Sequence, residues 1–147
     1  MLKTVKTLIN VLFVLYLAMV LFFCFYKFSS TGIDLGNYFL GIRLDRYAHF
    51  IMFFPYPFIS WLTFRHAVSS AFMRKHAVVL TVITGLVFAG ATEILQDLFF
   101  KSRQGDVLDF LADSISIVTG TAIIALSGTP IVKFIDSKFS RTDNEIL

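Results

Sequence analysis

The chain has 147 residues, of which 56% are hydrophobic and only 16% charged, with a formal net charge of +3 and one cysteine. That balance is too apolar for a soluble domain of this length and describes a polytopic membrane protein. The small positive excess is spread over connecting segments and gives no reason to expect a nucleic-acid partner, and the single thiol, Cys24, excludes an intramolecular disulfide and any cysteine-based metal cluster.

Between Lys6 and Lys27 the run TLINVLFVLYLAMVLFFCFY carries no charge. It has the length, about 20 residues at 1.5 Å each, that crosses about 30 Å of hydrocarbon. A first span is therefore expected over residues 7–27. With no small-residue cleavage site after it, the run reads as an uncleaved anchor. Residues Ser29 to Leu44 are rich in turn formers and are expected on the membrane surface, with Tyr38 and Phe39 at the interface. A second span follows over 46–64, where Pro55 and Pro57 predict a kink or local unwinding and Trp61 suits an interfacial anchor. Arg65, His66, Arg74, Lys75 and His76 make the next loop basic. The third span, 77–98, is apolar until Glu93, and Gly85, Ala89 and Glu93 follow one another at i+4. A small-residue stripe that lets a second helix approach thus leads to a carboxylate. After a short turn the fourth span, 106–126, repeats that spacing in Ala112, Ser116 and Gly120, so the third and fourth spans are expected to pack as a hairpin.

The expected fold is all-α: a polytopic membrane protein with four transmembrane helices in an antiparallel bundle, one domain over residues 1–135 and a polar cytoplasmic tail over 136–147. Four spans put both ends on one side. Lys3, Lys6, Arg65, Arg74, Lys75, Lys133, Lys138 and Arg141 fall on that side, against Lys27, Arg43, Arg46, Lys101 and Arg103 on the other. The larger set marks the cytoplasm, so both termini are expected inside.

The ionisable residues within or beside the spans then fall at one end. Asp45 and His49 open the second span, Glu93 and Gln96 close the third, Arg103 sits in the turn, and Asp106, Asp109 and Asp113 open the fourth. These residues predict a polar pocket at the outward leaflet. On a helix Asp106, Asp109 and Asp113, at i, i+3 and i+7, share a face. A charge at the bilayer centre costs about 2.5–3.5 kcal/mol on insertion scales, so that face is expected to point into the bundle. For Asp106 and Asp109 a helix cap and a first-turn acid are sufficient explanations; Asp113 lies a turn deeper and requires a partner. Asp45 and His49, at i and i+4, allow a carboxylate to orient an imidazole. Arg103 can neutralise carboxylates or hold a phosphate through its planar fork. His49, Glu93, Asp109 and Asp113 are the candidates for catalysis. No cofactor is required by any motif, although the same four residues are a donor set for a divalent metal.

At these positions the chain resembles the VanZ-like membrane protein family. The family's aspartate and histidine-phenylalanine pair match Asp45, His49 and Phe50 in LDRYAHF, its E-x-x-Q matches Glu93 and Gln96 in EILQ, and its arginine and following span match Arg103, Asp109 and Gly120. The resemblance covers about residues 40 to 122 of the 147. It departs at Asp113, where asparagine is common, and at Ser116, where glycine is frequent. It implies a multi-pass protein of the bacterial cytoplasmic membrane, some of whose relatives are linked to low-level resistance to teicoplanin-type glycopeptides. Two classes of function are then expected: a protein that binds or modifies a membrane lipid or lipid-linked cell-wall precursor, or an intramembrane hydrolase or transferase with a histidine and carboxylate site.

Overall fold

A computed structural model describes residues 2–26, 37–99 and 106–126, with Lys133 and Ser137. Residues 27–36 and 100–105, Arg103 among them, lie outside the described residues, as do Met1 and, apart from Lys133 and Ser137, residues 127–147. In chain order the elements are α1 (Leu2–Phe25), a hairpin of β1 (Tyr38–Phe39) and β2 (Ile42–Arg43), α2 (Leu44–Phe53), α3 (Tyr56–Leu62), a π turn (Thr63–Ala67), α4 (Ala71–Lys75), α5 (Ala77–Phe99) and α6 (Val107–Leu126).

Among the described residues, three helices are long and apolar enough to cross a membrane: α1 over Lys3–Phe25, α5 and α6. The segment expected as one span over 46–64 is broken instead into α2 and α3. A ten-residue helix such as α2 rises about 15 Å, half the hydrocarbon thickness. The break falls at Pro55 because neither Pro55 nor Pro57 has an N–H to offer the carbonyl four residues back. Side chains of other helices satisfy nearby carbonyls: the Tyr16 hydroxyl donates to Met52 O at 2.5 Å and the Ser116 hydroxyl to Phe50 O at 2.7 Å. Helical bonding resumes with Ile59 N–H to Pro55 O at 3.2 Å.

The small-residue stripes place the helices. On α5 the buried face runs Ala77, Thr81, Gly85, Ala89, Glu93. A Cβ on Gly85 would stand 2.9 Å from the Tyr56 ring and 3.0 Å from Ile117, and one on Gly120 would stand 2.9 Å from the Pro57 ring. Glycine is required at both because α3 sits directly on α5 and α6. Around this junction Tyr16, Val20, Cys24, Phe53, Tyr56, Ala89 and Ile117 form the main apolar core. The i+4 spacing of Tyr16, Val20 and Cys24 shows why one face of α1 belongs to that core, while Leu8, Leu12, Leu15, Met19 and Phe22 are exposed on the helix's other sides.

Ahead of α2 the chain forms the hairpin, Tyr38 opposite Arg43 and Phe39 opposite Ile42. Its two-residue turn puts Leu40 at φ 51° and Gly41 at φ 78°, the left-handed pair that suits the twist of a tight hairpin. Tyr38, Phe39, Leu40 and Ile42 are exposed. The hairpin hands Arg43 directly to the first turn of α2, and α5 ends where α6 begins, so α2, the end of α5 and the start of α6 meet at one end of the bundle.

Candidate functional site

At that end the structure gathers Asp45 and His49 from α2, Glu93 from α5, Asp106 from the residue before α6, and Asp109 and Asp113 from α6. His49 is 2% exposed and Asp113 0%. The two are paired, with His49 Nδ1 lying 3.1 Å from Asp113 Oδ1 and 3.3 Å from Oδ2. A carboxylate accepts only, so this bond places the proton on Nδ1. The departure from the resembled pattern at 113 thus comes with its own partner. So does the departure at 116, whose hydroxyl caps the Phe50 carbonyl.

Glu93 bridges α5 to the start of α6. Its Oε2 accepts the Asp106 N–H at 3.0 Å, and its Oε1 stands 3.7 Å from His49 Nδ1. Asp106 caps α6, its Oδ1 accepting the Leu108 N–H at 2.9 Å. Its other oxygen receives both arginines that flank Asp45: Arg43 Nη1 at 3.2 Å and Arg46 Nη2 at 3.2 Å. The Leu108 N–H, ahead of the two guanidinium groups, holds the Asp106 carboxyl below its ordinary range. Arg43 also reaches Asp45 Oδ2 at 3.4 Å, and Arg46 Nε lies 3.8 Å from Asp109 Oδ1. Among the described residues, Arg46 Nε, Glu93 Oε1 and Asp109 Oδ1 are buried in this cluster without a hydrogen-bond partner.

Gln96 does not join the cluster. It is buried, and its amide donates to Cys24 O at 2.7 Å, tying α5 to α1. Arg103 lies outside the described residues. Arg43 and Arg46 are the members that sequence reasoning assigned only to membrane orientation. Their signal lies in the spacing: Arg43 immediately precedes α2 and Arg46 is in its first turn, so the start of that helix brings two guanidinium groups to either side of Asp45.

Beside the cluster a groove of about 420 Å³ runs between the end of α5 and the start of α6, lined by Gly90, Ile94, Leu98, Val107 and Phe110, with Glu93, Asp97 and Asp106 as its polar residues. Ile94, Leu98 and Val107 are exposed, so its apolar rim lies on the outside of the bundle. Two three-residue sets in the cluster, Asp45, His49 and Asp109, and His49, Glu93 and Asp113, bring one ligand atom from each residue within 4.8 Å of the others, a spacing that suits a metal ion.

Helices long and apolar enough to cross a membrane, packed around a buried histidine and carboxylate cluster, describe a helical membrane protein with a buried polar site. Comparison of the chain with protein-family models, with curated proteins and with solved structures finds no match.

Proposed function

We propose that this is a multi-pass protein of the bacterial cytoplasmic membrane, VanZ-like in its spaced polar residues, that binds or modifies a lipid-linked component of the cell envelope and thereby supports tolerance to teicoplanin-type glycopeptides. The observation that carries the reading is the groove between α5 and α6, whose apolar rim is exposed on helices long enough to span and whose polar residues, Glu93 and Asp106, belong to the buried cluster. An amphiphile entering sideways from the bilayer leaves its chains against Ile94, Leu98 and Val107 and presents its head to the carboxylates. Carboxylates accept hydrogen bonds, so the fitting head carries hydroxyl, amide or ammonium donors, as sugar and peptide heads do. Arg103, which lies outside the described residues, is the candidate from sequence for a phosphate in the same head.

The basic residues Arg65, Arg74 and Lys75 follow α3, at the end of the chain path away from the cluster. This supports an orientation with that loop and both termini in the cytoplasm and the cluster under the outer headgroups. Envelope precursors and glycopeptides meet at that leaflet. The test is glycopeptide tolerance and lipid co-purification for Arg103→Ala and Gly90→Leu, the second chosen because a Cβ at 90 fits, at 3.7 Å from the Phe110 ring, while a longer chain fills the groove. Loss of both properties is expected. Unchanged tolerance and unchanged lipid would refute the reading.

A second reading is an intramembrane hydrolase or transferase. It is favoured by the Asp113 to His49 bond, which leaves the lone pair of the imidazole on Nε2, the arrangement of an oriented general base. In that reading His49→Ala abolishes turnover of the bound lipid while leaving it bound; full cellular function in His49→Ala excludes it.

A further inference from the structure

The cluster holds more negative charge than its arginines offset. Among the described residues, Asp45, Glu93, Asp106, Asp109 and Asp113 face Arg43 and Arg46; both guanidinium groups are hydrogen-bonded to Asp106, Arg43 also reaches Asp45 at 3.4 Å, and Arg46 Nε stands 3.8 Å from Asp109. Asp109 is 4% exposed, and its Oδ1 is buried with no hydrogen-bond donor. Arg46 at 3.8 Å is too far to donate a hydrogen bond, and a buried carboxylate oxygen without a donor is costly, so the site favours a closer positive charge there.

We propose that Asp45, His49 and Asp109 bind one divalent transition-metal ion, Zn²⁺ or Mn²⁺, through His49 Nε2 and one oxygen from each carboxylate. The ligand atoms of these three buried residues lie within 4.8 Å of one another. The bond from Nδ1 to Asp113 fixes the tautomer that exposes the Nε2 lone pair and makes the ring a stronger ligand, so Asp113 is the positioning residue of a carboxylate, histidine and metal relay. One imidazole with two carboxylates selects Zn²⁺ or Mn²⁺ over Ca²⁺, which favours an all-oxygen shell, and three protein ligands leave a coordination position for water or a head-group oxygen. The other set, His49, Glu93 and Asp113, offers the metal Nδ1, whose proton is already committed to Asp113. Glu93 instead accepts from the Asp106 backbone and shapes the groove. The inference rests on the cluster and is independent of the lipid reading.

The test is calorimetric titration of the full chain, purified in detergent and stripped with EDTA, with ZnCl₂ and with MnCl₂, alongside elemental analysis of the protein as purified. The expected result is one ion per chain, an affinity reduced about 10- to 100-fold in Asp113→Asn and by more in Asp109→Asn, and unchanged affinity in Glu93→Gln. Each variant is admitted on a helical circular dichroism spectrum and gel-filtration profile matching wild type; Asp45→Asn replaces Asp109→Asn if the latter fails. Wild-type protein that binds neither ion overturns the proposal, as does binding lost in Glu93→Gln but kept in Asp109→Asn. An absence of ion binding with lipid still bound in the groove removes the metal and leaves the lipid reading standing; the reverse result does the opposite.

Discussion

Removing His49 and removing Asp113 should not be equivalent. In His49→Ala the Asp113 carboxylate, 0% exposed, loses the only hydrogen-bond partner its side chain has among the described residues. Breaking a buried pair so that a charge is stranded costs about 3–5 kcal/mol. In Asp113→Ala the stranded group is an imidazole N–H, for which Glu93 Oε1 stands only 3.7 Å away as a substitute acceptor. An unsatisfied neutral donor costs about 1–3 kcal/mol, and the substitute keeps this variant at the lower end. The difference between the singles is therefore about 2–4 kcal/mol, with His49→Ala the less stable. A double-mutant cycle should give a coupling of about 1.5–3 kcal/mol, the range for a hydrogen bond to a charged group, against an average near 0.6 kcal/mol for polar contacts between membrane helices. Reversible unfolding in mixed micelles with increasing dodecyl sulfate, followed by helical circular dichroism, reads all four proteins. A coupling below about 0.5 kcal/mol, or Asp113→Ala as the weaker protein, refutes the description of this pair as a buried hydrogen bond to a charged carboxylate.

Three further expectations follow from the packing and the caps. Gly120→Ala forces a Cβ to 2.9 Å from the Pro57 ring and 3.3 Å from Phe54 O, both held by a rigid turn, and should cost about 1–3 kcal/mol in the same unfolding assay; a neutral result would mean α3 does not rest on α6. Tyr16→Phe removes the hydroxyl that satisfies Met52 O beside the proline break and should cost about 0.5–1.5 kcal/mol, with wild-type stability as the contrary outcome. Asp106 has a folded pKa below its ordinary value near 3.9, so its contribution is fully present above that value and is lost as the pH falls through the folded pKa. Unfolding midpoints measured from pH 7 down to pH 3 should therefore fall less steeply at the acid end in Asp106→Asn than in wild type; parallel curves contradict the cap and arginine contacts assigned to it.

How much of this was legible in the sequence follows from what kind of information each feature needs. Hydropathy and length set α1, α5 and α6 to within a few residues, because crossing hydrocarbon is a property of one segment. The i+4 stripes through Gly85 and Ala89 and through Ser116 and Gly120 marked contact faces, because a face is also local. They could not say what pressed on those faces, and the answer is Tyr56 and Pro57 of α3. The expected single helix over 46–64 divided at Pro55, where the prolines lack N–H groups, and the Tyr16 hydroxyl of α1, distant in sequence, satisfies Met52 O beside the break. The gathering of Asp45, His49, Glu93, Asp106, Asp109 and Asp113 followed from counting spans, since all of them fall at one end of their segments. Which pairs form did not follow. Gln96, one turn from Glu93 on the same side of α5, stands about 60° around the helix from it, and its longer amide is taken by Cys24 O of α1, a partner that periodicity alone does not reveal. Arg43 and Arg46 read as orientation signals because basic residues beside spans usually serve that end, and only the position of Asp106 reveals them as its partners.

The most direct test of an amphiphile seated against the cluster is native mass spectrometry of the chain released from bacterial membranes, comparing wild type with Gly90→Leu. The account predicts a wild-type adduct of one amphiphile whose fragmentation yields a sugar or peptide head, and its loss in the groove-filled variant with the helical spectrum unchanged. The same adduct on both proteins, or only bulk phospholipid on either, would contradict it.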